Sequence, residues 1–266
     1  MTRTAMLAAL AMVASGPLQA ADDWIKPGEE TIKLNLGAIL NRASTTVRLD
    51  GPNNRGTEFN LEDVAGLDRE TSSLYIAATW RFAPNHRAGL QYFETSTTAS
   101  KTIDRTLVIK DQVYPVNTTL TTQHDISFLI LNYQYSFVRN EKLEFAGLIG
   151  LYGARESFRF SATAPVVDAS ASFTAPLPVL GASVDFFLSP RWTVSLYGEG
   201  LALKVGGVEG SMYFAGISTD YMLTRNFGLG LGYNVTGLTV EAAEDDFSGK
   251  LGWRQSSFFG YAQLRY

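Results

Sequence analysis

The chain has 266 residues, a formal net charge of -4 at pH 7, two histidines and no cysteine. The lack of cysteine excludes disulfides and thiolate chemistry, and the negative charge argues against nucleic acid as a partner. After the N-terminus, no stretch is apolar for the roughly 20 residues that a membrane helix needs. Apolar residues instead alternate with polar ones, which is typical of strands that cross a membrane.

The N-terminus has the layout of a secretory signal peptide. Arg3 makes the first segment positive, residues 5–16 are mostly apolar, and Leu18-Gln19-Ala20 forms a plausible cleavage site before Ala21. We expect residues 1–20 to be removed on export. Residues 21–30 would then form an N-terminal segment in the periplasm, and residues 31–266 a single barrel domain.

Four short segments combine Pro, Asn or Ser with a basic residue between aromatic or aliphatic anchors, as tight turns require. They are 82–87, 137–142, 188–192 and 223–227. Because the periplasmic turns of membrane barrels are short, we place all four turns and both termini on that side, and expect the opposite connections to be mostly longer. The sequence thus predicts an all-β fold, a transmembrane antiparallel up-and-down β-barrel of about ten strands, with eight as the alternative. The predicted strands are 31–49, 72–83, 86–103, 120–138, 142–160, 172–188, 191–205, 210–223, 226–241 and 253–266.

Many of the predicted strands carry an apolar face, and aromatic residues gather near the four turns. Amphipathic rings favour the boundary between membrane and water, so this pattern predicts an aromatic girdle. The last predicted strand ends on an aromatic residue, with Phe258, Leu264 and Tyr266 on its apolar face. We expect these three residues to form an assembly signal for insertion into the outer membrane.

The signal peptide, the alternating hairpins and the terminal aromatic strand together resemble the small OmpA/OmpX-type outer-membrane barrels. The stretch 60–68, with Trp80-Arg81-Phe82 and His86-Arg87, also resembles an uncharacterised family of proteobacterial barrels. The resemblance implies an integral protein of the bacterial outer membrane. Its implied partners are membrane lipid, lipopolysaccharide and the outer-membrane assembly machinery, and its implied state is a monomer. It implies no reaction and no cofactor, and the extracellular ligand stays unknown.

Candidate catalytic residues are few. His86 falls in a predicted turn, and His124 falls near the outer end of a strand, where we expect a solvated rim histidine. A lipid A deacylase would need a serine within reach of the histidine, but Ser127 is three residues from His124 and points to the opposite face of a regular strand. No paired acidic motif of a protease stands at the strand ends. We therefore predict no catalytic residue and no enzyme activity.

The inward face of the barrel is predicted to hold charges of both signs. Such charges must pair, because an uncompensated buried charge is costly. Barrels of about eight strands are filled by side chains, and ten strands lie near that end of the range. We expect a plugged lumen and a structural or surface-interaction role; the alternative is a narrow pore for small solutes or ions, and a remote alternative is an enzyme. The predicted lumen network is Lys33, Arg81, Glu144, Asp185, Glu199, Asp220 and Arg265.

Two acidic loops are predicted to meet where the last strand closes on the first. Carboxylates brought side by side repel each other unless a cation lies between them. Divalent metal ions with oxygen ligands would suit such a rim, although a solvated acidic surface is the simpler interpretation. The candidate rim residues are Glu62, Asp63 and Asp68 in the first loop and Glu244, Asp245 and Asp246 in the last.

Overall fold

The computed structural model describes residues 24–53, 55–163, 166–205, 207–243 and 247–266. The predicted signal peptide and the acidic cluster Glu244, Asp245 and Asp246 lie outside the described residues. The strands are β1 (Ile32–Leu49), β2 (Phe59–Asn60), β3 (Glu70–Ala83), β4 (His86–Thr102), β5 (Leu107–Ile109), β6 (Gln112–Tyr114), β7 (Thr119–Arg139), β8 (Leu143–Thr163), β9 (Val166–Ser189), β10 (Trp192–Val205), β11 (Val208–Met222), β12 (Phe227–Ala243) and β13 (Ser248–Arg265). One π-helical turn spans Leu61–Ala65. No helix in the described part of the chain is long and apolar enough to cross a membrane.

Ten long strands form a closed antiparallel barrel. Each pairs with the next in sequence, in the order β1, β3, β4, β7, β8, β9, β10, β11, β12 and β13, and β13 pairs back onto β1. The ten-strand prediction is confirmed, and the eight-strand alternative is wrong. Observed strands β9 and β13 begin at Val166 and Ser248 rather than at 172 and 253, because their outer parts remain paired with β8 and β12.

The four predicted turns all lie at one end of the barrel, here called the turn end, and short polar side chains help to close several of them. Asn140 Oδ1 accepts the backbone N–H of Lys142 at 2.8 Å, and Thr224 Oγ1 accepts that of Phe227 at 3.1 Å. Such side chains replace backbone partners in tight turns. At the opposite, loop end, the connections after β1 and β4 are long, but those at 164–165 and 206–207 are short, because β8, β9 and β11 extend further than predicted.

The outward face near the turn end is an apolar belt. On β7, Leu129, Leu131, Tyr133, Tyr135 and Phe137 all point outward and are exposed. Exposed aromatic rings also surround the turns, among them Trp80, Phe82, Phe145, Phe186, Trp192, Tyr221 and Tyr266. A water-soluble protein does not expose so much apolar surface, whereas a lipid-facing barrel requires such a belt flanked by rings.

Toward the loop end the two faces exchange polarity. On β8, Phe158 and Phe160 face inward and are buried, while Arg155, Ser157 and Arg159 face outward. β7 changes over within Phe128-Leu129-Ile130-Leu131, where both faces are apolar. The loop-end part of the barrel, here called the outer barrel, therefore encloses an apolar core, here called the outer core. Its outward face meets water, as expected where strands extend beyond the lipid.

The first two loops complete this outer core. The π-helical turn contributes Leu61, Val64 and Ala65, and the β5–β6 hairpin contributes Leu107, Ile109 and Tyr114; all are buried in one cluster with Phe128, Phe158 and Trp253. Asp111, in the hairpin turn, accepts the backbone N–H of Asn53 at 2.8 Å and that of Arg55 at 3.1 Å. These bonds from the first loop hold the pKa of Asp111 below its ordinary value. Burial raises the pKa of Tyr114 to about 12.

Backbone pairing is incomplete along two seams of the outer barrel. β3 and β4 pair only up to Ile76 and Tyr92, and above that point the hydroxyls of Ser73 and Thr95 lie 2.6 Å apart. β9 and β10 pair only up to Leu180 and Gly200. The outer barrel thus consists of two curved sheets that enclose the apolar core.

Because the two faces of β8 exchange polarity toward the loop end, we expect substitutions on its inner and outer faces there to lower the unfolding free energy by different amounts. Replacing Phe158 with Ala removes a buried ring and leaves a cavity, so we expect a loss of about 3–5 kcal/mol of unfolding free energy. The matched change Ser161→Ala, on the outward face of the same strand, should cost within about 0.5 kcal/mol. Denaturant unfolding of the detergent-folded barrel measures both; equal costs would contradict the inverted core.

The C-terminal strand predicts an assembly defect. Phe258 and Tyr266 are exposed outward, and Leu264 shares their face. Tyr266→Asp places a charge beside lipid and removes an aromatic anchor, so we expect less folded protein in the outer membrane, measured as the heat-modifiable band on gels. Tyr266→Phe keeps the ring and should insert normally. Equal folded amounts of the Asp and Phe variants would refute the role of Tyr266.

Candidate functional site in the barrel lumen

A four-residue ion-pair cluster fills the lumen at the turn end. Arg81 donates to both carboxylate oxygens of Glu144, at 2.9 and 2.8 Å, and Arg87 donates to Asp185 at 3.0 Å. The Nε of Arg87 lies 3.7 Å from Glu144, whose side chain is 0% exposed. Ser136 also donates to Glu144. Each carboxylate is therefore matched by a guanidinium and a hydroxyl, since Ser195 donates to Asp185 at 2.6 Å.

The register of the strands explains why these four residues need each other. Arg81 lies directly opposite Arg87 in the β3–β4 pair, and Glu144 lies directly opposite Asp185 in the β8–β9 pair. Like charges opposite each other destabilise a strand pair. Because the two arginines face the two carboxylates across the lumen, each repulsive pair becomes half of an attractive cluster.

The remaining predicted lumen charges form three further sets of contacts. Lys33 lies opposite Arg265 in the β1–β13 pair; Lys33 is 3.5 Å from Glu30, and Arg265 donates to the carbonyl of Pro190 at 3.1 Å. Asp220 accepts from the hydroxyl of Tyr261. Glu199 lies further toward the loop end and accepts from Tyr152 at 3.0 Å. Among the described residues, direct contacts through Arg87 connect Glu144 with Asp185, whereas Lys33, Arg265, Asp220 and Glu199 have direct partners of their own.

The N-terminal segment lies against the turn-end opening. Gly28 has a φ of 84°, its carbonyl accepts from Arg139 at 2.7 Å, and a Cβ placed on it would lie 3.1 Å from Phe187 Cζ and 3.3 Å from Glu144 Oε2. Only glycine fits such a close approach at a positive φ. Trp24 stacks under the guanidinium of Arg191, at 4.2 Å. The segment 24–30 is thus packed against the ion-pair cluster.

Aromatic rings fill the middle of the lumen. Tyr261 and Phe259 of β13 lie over Gly230 and Gly232 of β12, where an added Cβ would come within 2.2 Å of each ring. Tyr75 contacts both rings, with centroids 5.7 and 5.6 Å away. The alternating glycines of β12 therefore make room for the rings that fill the interior.

A buried histidine corrects one expectation from the sequence. His124 is not a solvated rim residue: its Nε2 lies 2.7 Å from Glu156 Oε1, and its ring stacks on Phe158 at 4.7 Å. The error arose because the polarity exchange turns the inner face of β7 into core at this height. Glu156 Oε2 has no hydrogen-bond partner among the described residues.

Arg87 and Glu156 were both missed from the sequence. Glu156 lies an even number of residues from Glu144 on β8, so both point to the inner face, and Arg87 lies on the inner face of β4. Continuing the alternation of inward and outward residues along each strand would therefore have predicted both. Glu30 and Arg139 lie outside or at the end of a strand, where alternation gives no signal.

The predicted cation rim remains a prediction, because its last-loop residues lie outside the described part of the chain and only its first-loop residues can be placed. Glu62 is buried and accepts the backbone N–H of Thr45 at 2.9 Å, and Asp63 pairs with Arg69. Asp68 is exposed. Within the described ranges, no group of three metal-ligating side chains is present. Two of the three carboxylates therefore already have hydrogen-bond or ion-pair partners within the protein.

Comparison with known proteins supports the architecture. No family model and no curated protein matches the chain. Among solved structures, the outer-membrane protease OmpT from Escherichia coli is similar with a TM-score of 0.58 and 8% identity, over 93% of this chain and 100% of that one. The chain has the fold of an outer-membrane β-barrel. Two further structures match with lower TM-scores. The toluene transporter TodX from P. putida has a TM-score of 0.37 and 9% identity, over 91% of this chain and 92% of that one. Ail from Yersinia pestis has a TM-score of 0.33 and 12% identity, over 87% of this chain and 98% of that one.

The ion-pair cluster predicts a large penalty for neutralising Glu144. Glu144→Gln leaves Arg81 and Arg87 opposite each other without their shared anion, so we expect a loss of about 3–5 kcal/mol of unfolding free energy. Glu70→Gln, at an exposed outward position, is the matched control and should change stability within about 0.5 kcal/mol.

A double-mutant cycle with Arg81→Gln separates the ion pair from other effects. Because Arg81 and Glu144 are in contact, the double variant should lose less than the sum of the two single losses. Additive losses in denaturant unfolding would show that the two side chains do not act together.

Proposed function

We propose that the protein is an integral outer-membrane barrel with a plugged lumen, and that its role is structural or one of surface interaction. The observation that supports this is that the interior is occupied in series. The N-terminal segment and the ion pairs fill the turn end, the rings of Tyr75, Phe259 and Tyr261 fill the middle, and the apolar core fills the loop end.

The proposal includes processing and orientation. Residues 1–20 act as the export signal, the turn end faces the periplasm, and the loop end faces the cell exterior. The apolar belt contacts membrane lipid and lipopolysaccharide, insertion uses the outer-membrane assembly machinery, and the barrel works as a monomer. The closer relation to small OmpA/OmpX-type barrels belongs to this proposal as well.

We propose a non-catalytic role. The fold shared with a protease carries no reaction over to this chain at 8% identity. His124 and Glu156 lie inside the apolar core, with 7% and 1% exposure, so a substrate would have to displace that core to reach them. A narrow pore is the alternative, and it would require a continuous path past all three filled levels.

Conductance in planar bilayers tests the plugged lumen. We expect the wild-type protein to give no steady single-channel current, and Arg81→Ala to remain silent too, because the apolar core lies in series with the ion pairs. Gel heat-modifiability verifies that each sample is folded. A steady current in the wild type that Arg81→Ala alters would establish the pore instead.

A further inference from the structure

The outer half of β9 presents an unpaired strand edge. β9 spans 24 residues and pairs with β8 along its length, from Leu143 with Phe186 to Thr163 with Val166, without a register shift. On its other side it pairs with β10 only from Ser189 to Leu180. Among the described strands, none pairs with this side of β9 between Val166 and Val179.

The register identifies which backbone groups face the open side. The N–H of Phe187 donates to the carbonyl of Lys142, next to β8. In an antiparallel pair, alternate residues direct both backbone groups to the same neighbour, so odd-numbered β9 residues face β8 and even-numbered ones face the open side. A second contact agrees, because the carbonyl of Ser170 accepts from Lys110 Nζ at 3.2 Å.

Two prolines divide this edge. Pro176 and Pro178 are even-numbered, so the N–H groups that they lack would have faced the open side, and their rings leave the ladder to β8 intact. Proline on an edge is a common device against unwanted pairing. Beyond them, Asp168, Ser170, Ser172 and Thr174 keep their N–H groups toward the opening. The edge is therefore blocked by prolines near the apolar belt. Farther out its N–H groups have no partner strand among the described residues, although the β5–β6 hairpin contacts β9 and its Lys110 holds the carbonyl of Ser170.

Apolar side chains border the same opening. Leu177 and Leu201 are only partly buried against the outer core, and Leu203, which has inward parity on β10, is 38% exposed. An added strand would cover these side chains with its own inward residues. It would also continue the pairing along β9 toward the loop end, from the point at which β9 and β10 separate.

We propose that the edge Asp168–Thr174 of β9 binds an extended polypeptide segment of another protein by β-augmentation. Backbone donors and acceptors that alternate at strand spacing fit an extended chain, and the bordering leucines select alternating apolar residues. The inference rests on the proposed orientation only in placing that partner outside the cell. A second copy in the same membrane is unsuitable, because a two-fold axis normal to the membrane would set each N–H opposite its own equivalent.

A peptide copied from the chain provides the probe. Residues 155–163 of β8, Arg-Glu-Ser-Phe-Arg-Phe-Ser-Ala-Thr, already pair with β9 residues 166–174 on the opposite edge. We expect the fluorescently labelled peptide to bind the detergent-folded full-length protein in anisotropy titrations. Ser172→Pro removes one open-side N–H and should weaken binding at least tenfold, whereas Ser172→Ala keeps that N–H and should bind as the wild type does.

Amide hydrogen exchange of the wild type gives a readout that needs no variant. In the free protein, the amides of Ser170 and Ser172 should exchange faster than those of Ala169 and Ala171, and the peptide should protect the first pair. Slow exchange of both pairs before peptide is added, no binding to the wild type, or equal binding to Ser172→Pro would each overturn the proposal. Because these assays do not depend on conductance, failure here is distinguishable from failure of the plugged lumen.

Discussion

The arrangement of four charges at the turn end constrains the whole barrel. Closing ten strands puts Arg81 beside Arg87 and Glu144 beside Asp185, and each pair alone is repulsive. The two repulsive pairs compensate each other only if the β3–β4 hairpin faces the β8–β9 strands across the lumen. A shift of one residue in either register would exchange inward and outward side chains, placing Phe82 in the cluster and an arginine in lipid. The cluster therefore acts mainly on specificity, since buried ion pairs contribute little net stability over apolar packing.

Two solvents account for the rest of the pattern. Where lipid surrounds the barrel, the outside is apolar and the inside can be polar, so charges and hydrogen bonds fill the lumen. Beyond the lipid the outside is in water, and burial of apolar side chains inside becomes favourable. The exchange within Phe128-Leu129-Ile130-Leu131 marks the height at which one solvent replaces the other. Filling the interior therefore requires two different chemistries, one on each side of that boundary.

Local periodicity in the sequence was enough to predict the strand count and part of the lumen. The four turns and the alternation between them specified ten strands, and parity placed Arg81, Glu144 and Asp185 on the inner face. The apolar residues of β8 change phase along the strand, from Ile149 and Leu151 to Phe158 and Phe160, but a single phase was assumed for each strand, so His124 on β7 was assigned to water rather than to the core. Periodicity could not show that Glu62 reaches Thr45 or that Gly28 approaches Glu144, because these contacts depend on loop paths between residues distant in sequence.

A filled interior moves the question of function to the surface. If solutes do not pass through the lumen, the function of the protein depends on the surface that the outer barrel exposes. The two seams expose different backbone groups on that surface. The β3–β4 seam is bridged by Ser73 with Thr95 and by Lys101, which donates to the carbonyl of Asp63. The β9–β10 seam has prolines only near the belt, where lipid would leave unpaired N–H groups without partners; farther out, Lys110 of the β5–β6 hairpin donates to the carbonyl of Ser170, but the N–H groups of the edge have no partner strand among the described residues. Farther out, water can satisfy an open edge until a strand replaces it, so a free edge can persist there without destabilising the barrel.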